Sequence, residues 1–230
     1  MLAISPMLSS AAQDALSLKR VWETIDINSC PHDYNFHMHT VASDGKLTPL
    51  ELLQQALDIG LKGFAITDHH SVDGYRKVQT HLNKLEQNGQ TNQLTLWTGT
   101  EITSCLLKVE IHILGYAFNP KHPALQTYLQ SCSPSGEDAE AHKVIDSIHQ
   151  AGGLAVLAHP HRYRRSAQEL IPVAAQLGID GVETYYAYGN PNPWQPTMKK
   201  TEEVQKLASQ YNLYTTCGTD THGSSLLQRV

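Results

Sequence analysis

No run in this chain approaches the roughly 18 consecutive apolar residues that a membrane-crossing helix requires, so no membrane span is expected. Residues 1–20, MLAISPMLSSAAQDALSLKR, carry no basic residue before Lys19 and are interrupted by Pro6. They lack the positive leading region of a secretory signal, and a cytoplasmic protein is the expectation. Cysteine is scarce: Cys30, Cys105, Cys132 and Cys217 are widely spaced, with no CxxC pair. That excludes a zinc ribbon and gives no disulfide framework. An excess of positive charge is missing too. A net charge of −5 and a pI near 6.2 argue against general duplex nucleic-acid binding, while leaving room for a small nucleotide. Against 3 Trp and 3 Phe, the chain carries 13 His.

What remains is ordinary. With 230 residues, 40% hydrophobic and 17% charged, the chain is long enough for one large soluble domain. No linker or internal repeat divides it. Residues 8–24 read as a leading helix. The stretch YNFHMHTVASDG, residues 34–45, reads as a strand end followed by a turn. A helix is expected over 48–59, with Thr48 as N-cap, Pro49 in its first turn, Glu51 completing a capping box and Gly60 ending it. Leu50, Leu53, Ala56 and Leu57 would form its apolar face. Strands are expected at 63–68, 94–102, 109–118, 153–160, 181–185 and 213–222. Helices are expected at 72–88, 122–132, 138–151, 166–177 (with a break or late start at Pro172) and 197–211. Alternation of about seven strands with helices indicates an α/β fold with a largely parallel sheet.

The polar residues cluster at strand ends. His37 and His39, at i and i+2, project to one face of a strand, and two converging imidazoles can hold one metal ion. Asp44 sits in a Ser-Asp-Gly turn that can fold its carboxylate back over the same strand end. An HxH pair alone is more often two buried, hydrogen-bonded histidines. However, His69, Glu101, His159 and the pair Asp220/His222 also fall at or near strand C-terminal ends. In a (β/α) barrel those ends form one rim, which is where such barrels carry their active sites.

The ordered series HMHTVASDG, AITDHH, GTEI, a strand histidine in HILGY, AHPHRY and GTDTHG resembles the motif series of the PHP (polymerase and histidinol phosphatase) family. The resemblance runs over about residues 34–223. It implies a distorted (β/α)7 TIM-like barrel at 34–223 preceded by a helical segment at 1–33, all in a single domain, with two or three divalent ions. By the same resemblance, His37, His39, Glu101 and Asp220 would hold one ion. Glu101 would bridge to a second, held with His112 and His159, and Asp44, His69 and His222 would hold a third. The donors are all nitrogen or oxygen, which suits Mn²⁺, Zn²⁺ or Fe²⁺.

Three such ions, offset by Asp44, Glu101, Asp220 and one bridging hydroxide, leave a formal charge of about +2, which favours a phosphoester over a neutral amide. A hydroxide bridging two ions is nucleophilic near neutral pH. The candidates for the proton donor to the leaving oxygen are His161, His70 and Asp68; Asp68 could instead orient the neighbouring ligand. Arg162 suits bidentate phosphate binding, and the HPHRY segment resembles the branch of nucleoside 3′,5′-bisphosphate phosphatases and 5′→3′ exoribonucleases. In that resemblance Arg162 holds the non-reacting phosphate.

Two features depart from that branch. His70 stands where an acidic residue is common, and the stretch from Glu101 to His159 is short, which points to a more open site and a broader substrate range. Glu183 is a further strand-end acid that would either support a ligand or line the barrel. Tyr185, Tyr186, Tyr188 and Trp194 would pack or stack on a base. The expected function is hydrolysis of a phosphate ester of a small nucleotide, short oligonucleotide or phosphorylated metabolite. The alternatives are a sugar- or histidinol-type phosphate monoesterase, a non-catalytic PHP module, and a C–N hydrolase. The last usually has a lysine where Glu101 stands.

Overall fold

The computed structural model describes residues 13–89 and 94–230. The first part of the expected leading helix, residues 8–12, lies outside them. Helix α1 (Ala15–Trp22) starts at Asp14, whose carboxylate accepts from the Ser17 amide. The following elements are β1 (Tyr34–Asn35), α2 (Pro49–Ile59), β2 (Gly63–Ala65), α3 (Asp73–Gln87), β3 (Thr95–Trp97), β4 (Gly99–Leu106) and β5 (Val109–Tyr116). They are followed by α4 (Ala141–Gln150), β6 (Leu154–Leu157), α5 (Ala167–Gln176), β7 (Gly181–Tyr185), α6 (Met198–Gln210) and β8 (Tyr214–Cys217).

Local chemistry sets the boundaries as expected at α2. Thr48 and Glu51 form the capping box, Pro49 opens the helix, and Gly60 closes it in the left-handed conformation. Its buried face differs from the expected one. Pro49, Leu52, Leu53 and Ala56 face the core at the i, i+3, i+4, i+7 spacing, whereas Leu50 and Leu57 lie on the stripe turned to solvent.

The strands form two sheets. β1, β2 and β3 are parallel, and β4 to β8 make a five-stranded sheet in chain order. The pairing is largely parallel, as expected, with one exception: β5 runs antiparallel to both β4 and β6. The expected 94–102 strand is two strands. The Thr98 carbonyl accepts from Ala117, so the chain leaves β2 and turns to pair with β5. The sheets do not close into one barrel sheet. Single bridges at Met38–Thr221 and His69–Glu101 link their edges instead. The 122–132 segment is a 3₁₀ turn over Pro123–Tyr128, not an α-helix. Pro172 lies inside α5 without ending it: the bond it forfeits would go to Gln168, in the exposed first turn.

One end of this assembly is apolar. Leu18 and Trp22 of α1 pack on Phe36, Trp97 and Tyr116, and the Trp22 ring stands edge-on to Tyr116 at 5.4 Å and to Phe36 at 6.2 Å. The opposite strand ends carry the polar residues. Among the described residues no helix is long and apolar enough to cross a membrane.

Candidate metal centre

The nine expected ligands arrive on six segments, and the structure brings them together: His37, His39 and Asp44 follow β1, His69 follows β2, Glu101 and His112 lie within β4 and β5, His159 follows β6, and Asp220 and His222 follow β8. The segment after β1 carries His37 and His39, both fully buried. The turn that returns Asp44 to them depends on Gly45, where a Cβ would lie 2.4 Å from the His39 carbonyl oxygen. Gly218, after β8, likewise leaves room for the His37 Cβ, which a side chain there would meet at 2.2 Å. His159 and Asp220 hold left-handed backbone conformations with φ of 24° and 53°, strain of the kind concentrated at functional sites.

Glu101 divides these residues. Its Oε2 lies 3.0 Å from both His37 Nε2 and His39 Nε2 and 3.6 Å from His69 Nε2. Its Oε1 lies 2.7 Å from His112 Nδ1 and 3.2 Å from His159 Nε2. Asp220 Oδ1 lies 3.3 Å from the Nε2 atoms of both His37 and His39. On the outer side, Asp44 Oδ2 is 3.1 Å from His222 Nε2 and 3.8 Å from His69 Nε2. Four donor groups close enough to share an ion result: His37/His39/Glu101/Asp220, His69/Glu101/His112, His39/Asp44/His69/His222 and His37/His159/Glu183.

These donors fit a metal. Both ring nitrogens of His39 and Nδ1 of His159 are buried without a hydrogen-bond partner, although His39 Nε2 stands 3.0 Å from a carboxylate oxygen. Glu101 is hydrogen-bonded to His37, His112 and His159, but buried ring nitrogens left without a partner, as at His39, are costly unless a cation satisfies them. Surrounding groups orient the rings. Glu183 Oε1 bonds His37 Nδ1 at 2.9 Å and Glu183 Oε2 accepts from the His159 amide at 2.8 Å. His222 Nδ1 is tied to the Asp220 carbonyl at 2.8 Å, which turns Nε2 toward Asp44.

The charges show the same demand. Burial lowers the His37 pKa, but the facing Glu183, Glu101 and Asp220 carboxylates outweigh it and hold the ring well above the ordinary histidine value. Burial likewise opposes protonation of His39, and the Asp220 and Glu101 carboxylates raise it to about 9. Burial pushes the Glu101 carboxyl up, but His37 and His112 hold it well below the carboxylate range. His69, where burial dominates, falls to about 4. The carboxylates thus favour positive charge at His37 and His39, which is the charge a divalent ion would supply there.

The other expected residues are placed differently. Asp68 does not point into the ring of histidines. Its Oδ1 accepts from the Thr40 amide at 2.6 Å and from Ser43 Oγ at 3.0 Å, so it braces the turn carrying Asp44. His70 Nε2 accepts from the Thr103 amide at 3.3 Å and lies 3.1 Å from Thr103 Oγ1. The His161 ring packs edge-on against Tyr188, and its Nε2 is 3.9 Å from Glu203. Arg162 reaches the centre, with Nη1 2.8 Å from Asp220 Oδ2. Tyr185 and Trp194 are buried in the apolar end, whereas Tyr186 donates to Asp220 Oδ2 at 2.6 Å. Sequence reasoning missed Arg229, whose Nε lies 2.8 Å from the same oxygen. No motif marks it, since it follows the last strand outside any periodic element. A cleft of about 500 Å³ opens beside the centre, lined by His112, His159, Arg162, Tyr163, Arg164 and Lys108.

Comparison with known proteins agrees with this geometry. The model of the PHP domain family matches residues 35–216. The 5′-3′ exoribonuclease Rnm of Salmonella typhimurium is 25% identical over 260 aligned positions, covering 82% of this chain and 85% of its own. The 3′,5′-nucleoside bisphosphate phosphatase of Chromobacterium violaceum is 27% identical over 118 positions, 51% of this chain and 39% of its own. A solved structure from Bifidobacterium adolescentis, described as a candidate metal-dependent phosphoesterase, superposes with a TM-score of 0.67 at 23% identity, covering 84% of this chain and 89% of that one. With the family model matched across most of its length and the donor clusters in place, the chain belongs to the PHP domain family and is a metal-dependent phosphoesterase.

Proposed function

We propose that this phosphoesterase removes a phosphate from a small nucleotide, with a nucleoside 3′,5′-bisphosphate or the 5′ end of a short oligonucleotide as its substrate. The observation that carries the reading is the division of Glu101, whose two oxygens face two separate sets of histidines. In this reading His37, His39, Glu101 and Asp220 hold one divalent ion, Glu101, His112 and His159 a second, and Asp44, His69 and His222 a third. Manganese, zinc or ferrous iron suits the donors. When bound, such ions supply Lewis acidity and lower the pKa of water to near neutrality. The single bridges at the sheet edges and the ring of strand ends support a distorted (β/α)7 barrel.

The chain's own residues supply orientation and proton transfer. Glu183 and the Asp220 carbonyl fix the ring orientations of His37 and His222. Arg162, on the cleft wall, holds the non-reacting phosphate. His161 and His70 are the proton-donor candidates that this reading keeps. Asp68 is bonded to Thr40 and Ser43, whereas His161 Nε2 and His70 Nδ1 each have no hydrogen-bond partner. A cytoplasmic enzyme acting on free nucleotides fits this account.

The test compares phosphate release by the manganese-loaded protein from adenosine 3′,5′-bisphosphate, an aryl phosphate and a short 5′-phosphorylated RNA. Preference for the bisphosphate or the RNA is the expected result. Turnover of the aryl phosphate alone would overturn the substrate assignment and favour a phosphate monoesterase of metabolites.

A further inference from the structure

Helices α2 and α3 enclose a groove outside the metal centre. It holds about 370 Å³ and is lined by Leu50 of α2 and by Arg76, Lys77, Thr80, His81 and Lys84 of α3. The α3 residues fall at i, i+1, i+4, i+5 and i+8, one stripe of a helix, while Val78 and Leu82 of the same helix are buried in the core. At about 1.5 Å of rise per residue, the stripe extends about 12 Å from Arg76 to Lys84.

The charge of this groove runs against that of the chain. The protein carries a net charge of −5, yet the lining holds Arg76, Lys77 and Lys84 and no acidic residue. Arg76 pairs with Asp73 at 3.1 Å, an exposed contact of small net worth. Among the described residues neither Lys77 nor Lys84 has an ion-pair partner. Leu50, exposed by 47%, adds an apolar surface beside these cations.

Both helices begin beside the metal centre. α2 follows the turn that carries Asp44, where the Lys46 amide donates to the His222 carbonyl at 3.1 Å. α3 follows the segment that carries His69 and His70, and its Gly74 lies so close to Asp68 that a Cβ there would collide with the carboxylate. Leu50 and Arg76, in the first turns, therefore mark the end of the groove nearest the donor cluster, and Lys84 marks the far end.

We propose that this groove holds the downstream sugar–phosphate chain of a single-stranded RNA whose 5′ end lies in the metal centre. The proposal rests on the phosphoesterase reading and adds to it a surface that only a strand, and not a mononucleotide, can reach. Successive phosphates meet Arg76 and Lys77 and then Lys84, and Leu50 packs against the sugars between them. A stripe one helix wide offers contacts to one backbone, and the chain as a whole is acidic, so a single strand suits the groove and a duplex does not.

The test uses the manganese-loaded full chain and the triple variant Arg76→Gln, Lys77→Gln, Lys84→Gln, with a 5′-phosphorylated RNA 10-mer and adenosine 3′,5′-bisphosphate as substrates. The variant should raise KM for the 10-mer about tenfold and leave KM for the bisphosphate unchanged. Fluorescence anisotropy of the 10-mer, with both proteins carrying Glu101→Gln to stop turnover, reads binding alone. The salt dependence of log K should become shallower by about 2, at roughly 0.7 for each of three lost phosphate contacts. Lys84→Gln by itself should weaken binding of the 10-mer and not of a dinucleotide. An unchanged KM and salt slope for the 10-mer would overturn the proposal, as would an equal loss on the bisphosphate. Capture of phosphatidylserine vesicles by the wild type without binding of RNA would overturn it in favour of a lipid-facing surface. If the wild type turns over neither substrate, the phosphoesterase reading fails, and the anisotropy still decides whether the groove binds RNA.

Discussion

Glu183 Oε1 lies 2.9 Å from His37 Nδ1, on the side of the imidazole away from Glu101, and both side chains are buried. The contact fixes the ring so that Nε2 faces the donor cluster, and Glu183 Oε2 holds the His159 amide at the same time. Glu183 is thus a positioning residue for the two segments that carry His37 and His159. Removing an orienting partner of this kind costs roughly 10–100-fold in metal affinity. Glu183→Gln should show that loss in competition with a chelating dye, with little change in secondary structure. Wild-type affinity in the variant would remove Glu183 from the account.

Metal should also stabilise the fold, because the donors converge only in the folded chain. At an ion concentration of about 100 times Kd, the gain is about 2.7 kcal/mol. Thermal unfolding in manganese, compared with unfolding in a chelator, should show a higher Tm with metal. Equal midpoints would mean that the buried histidines are satisfied without an ion.

Trp22 tests the opposite end of the molecule. Its ring packs against Phe36, Tyr116 and Tyr214, and the side chain is almost wholly buried. Trp22→Ala should destabilise the protein by about 3–5 kcal/mol in urea unfolding. Metal affinity of the folded fraction should change little. A loss below about 1 kcal/mol would show that α1 is not part of the core.

The His149–Asp180 pair gives a pH dependence away from the centre. His149 Nε2 lies 2.7 Å from Asp180 Oδ2, and that hydrogen bond, against partial burial, raises the histidine pKa above its ordinary value. Its contribution to stability is fully present below the unfolded value of about 6.5 and is lost as pH rises through the folded value. The stability difference between wild type and His149→Ala should therefore be larger near pH ~5.5 than near pH ~9. A difference that grows with pH would contradict the pairing.

Much of the centre was legible because its signals are local. His37 and His39 share a face by the two-residue period of a strand, and the boundaries of α2 follow from Thr48, Pro49, Glu51 and Gly60. The antiparallel β4–β5 hairpin was not legible. Its turn is made by Leu107 and Lys108 at φ of 52° and 62°, where glycine or asparagine would have given the signal. Arg229 and the brace role of Asp68 were hidden for another reason. Each depends on a partner brought close only by the fold: Asp220 across the returning segment for Arg229, and Thr40 from another strand end for Asp68. The exposed Leu50 and Leu57 show the converse, since apolar spacing identifies a helix but two overlapping stripes leave open which one meets the core.

The most direct measurement is phosphate release from adenosine 3′,5′-bisphosphate by the manganese-loaded protein, run beside a chelator-treated sample and Glu101→Gln. If Glu101 joins the two halves of the metal centre, turnover should require the metal, and Glu101→Gln should lose more than the roughly 10–100-fold expected for an outer orienting residue. Turnover that survives in the chelator, or a glutamine variant as active as the wild type, would contradict the account.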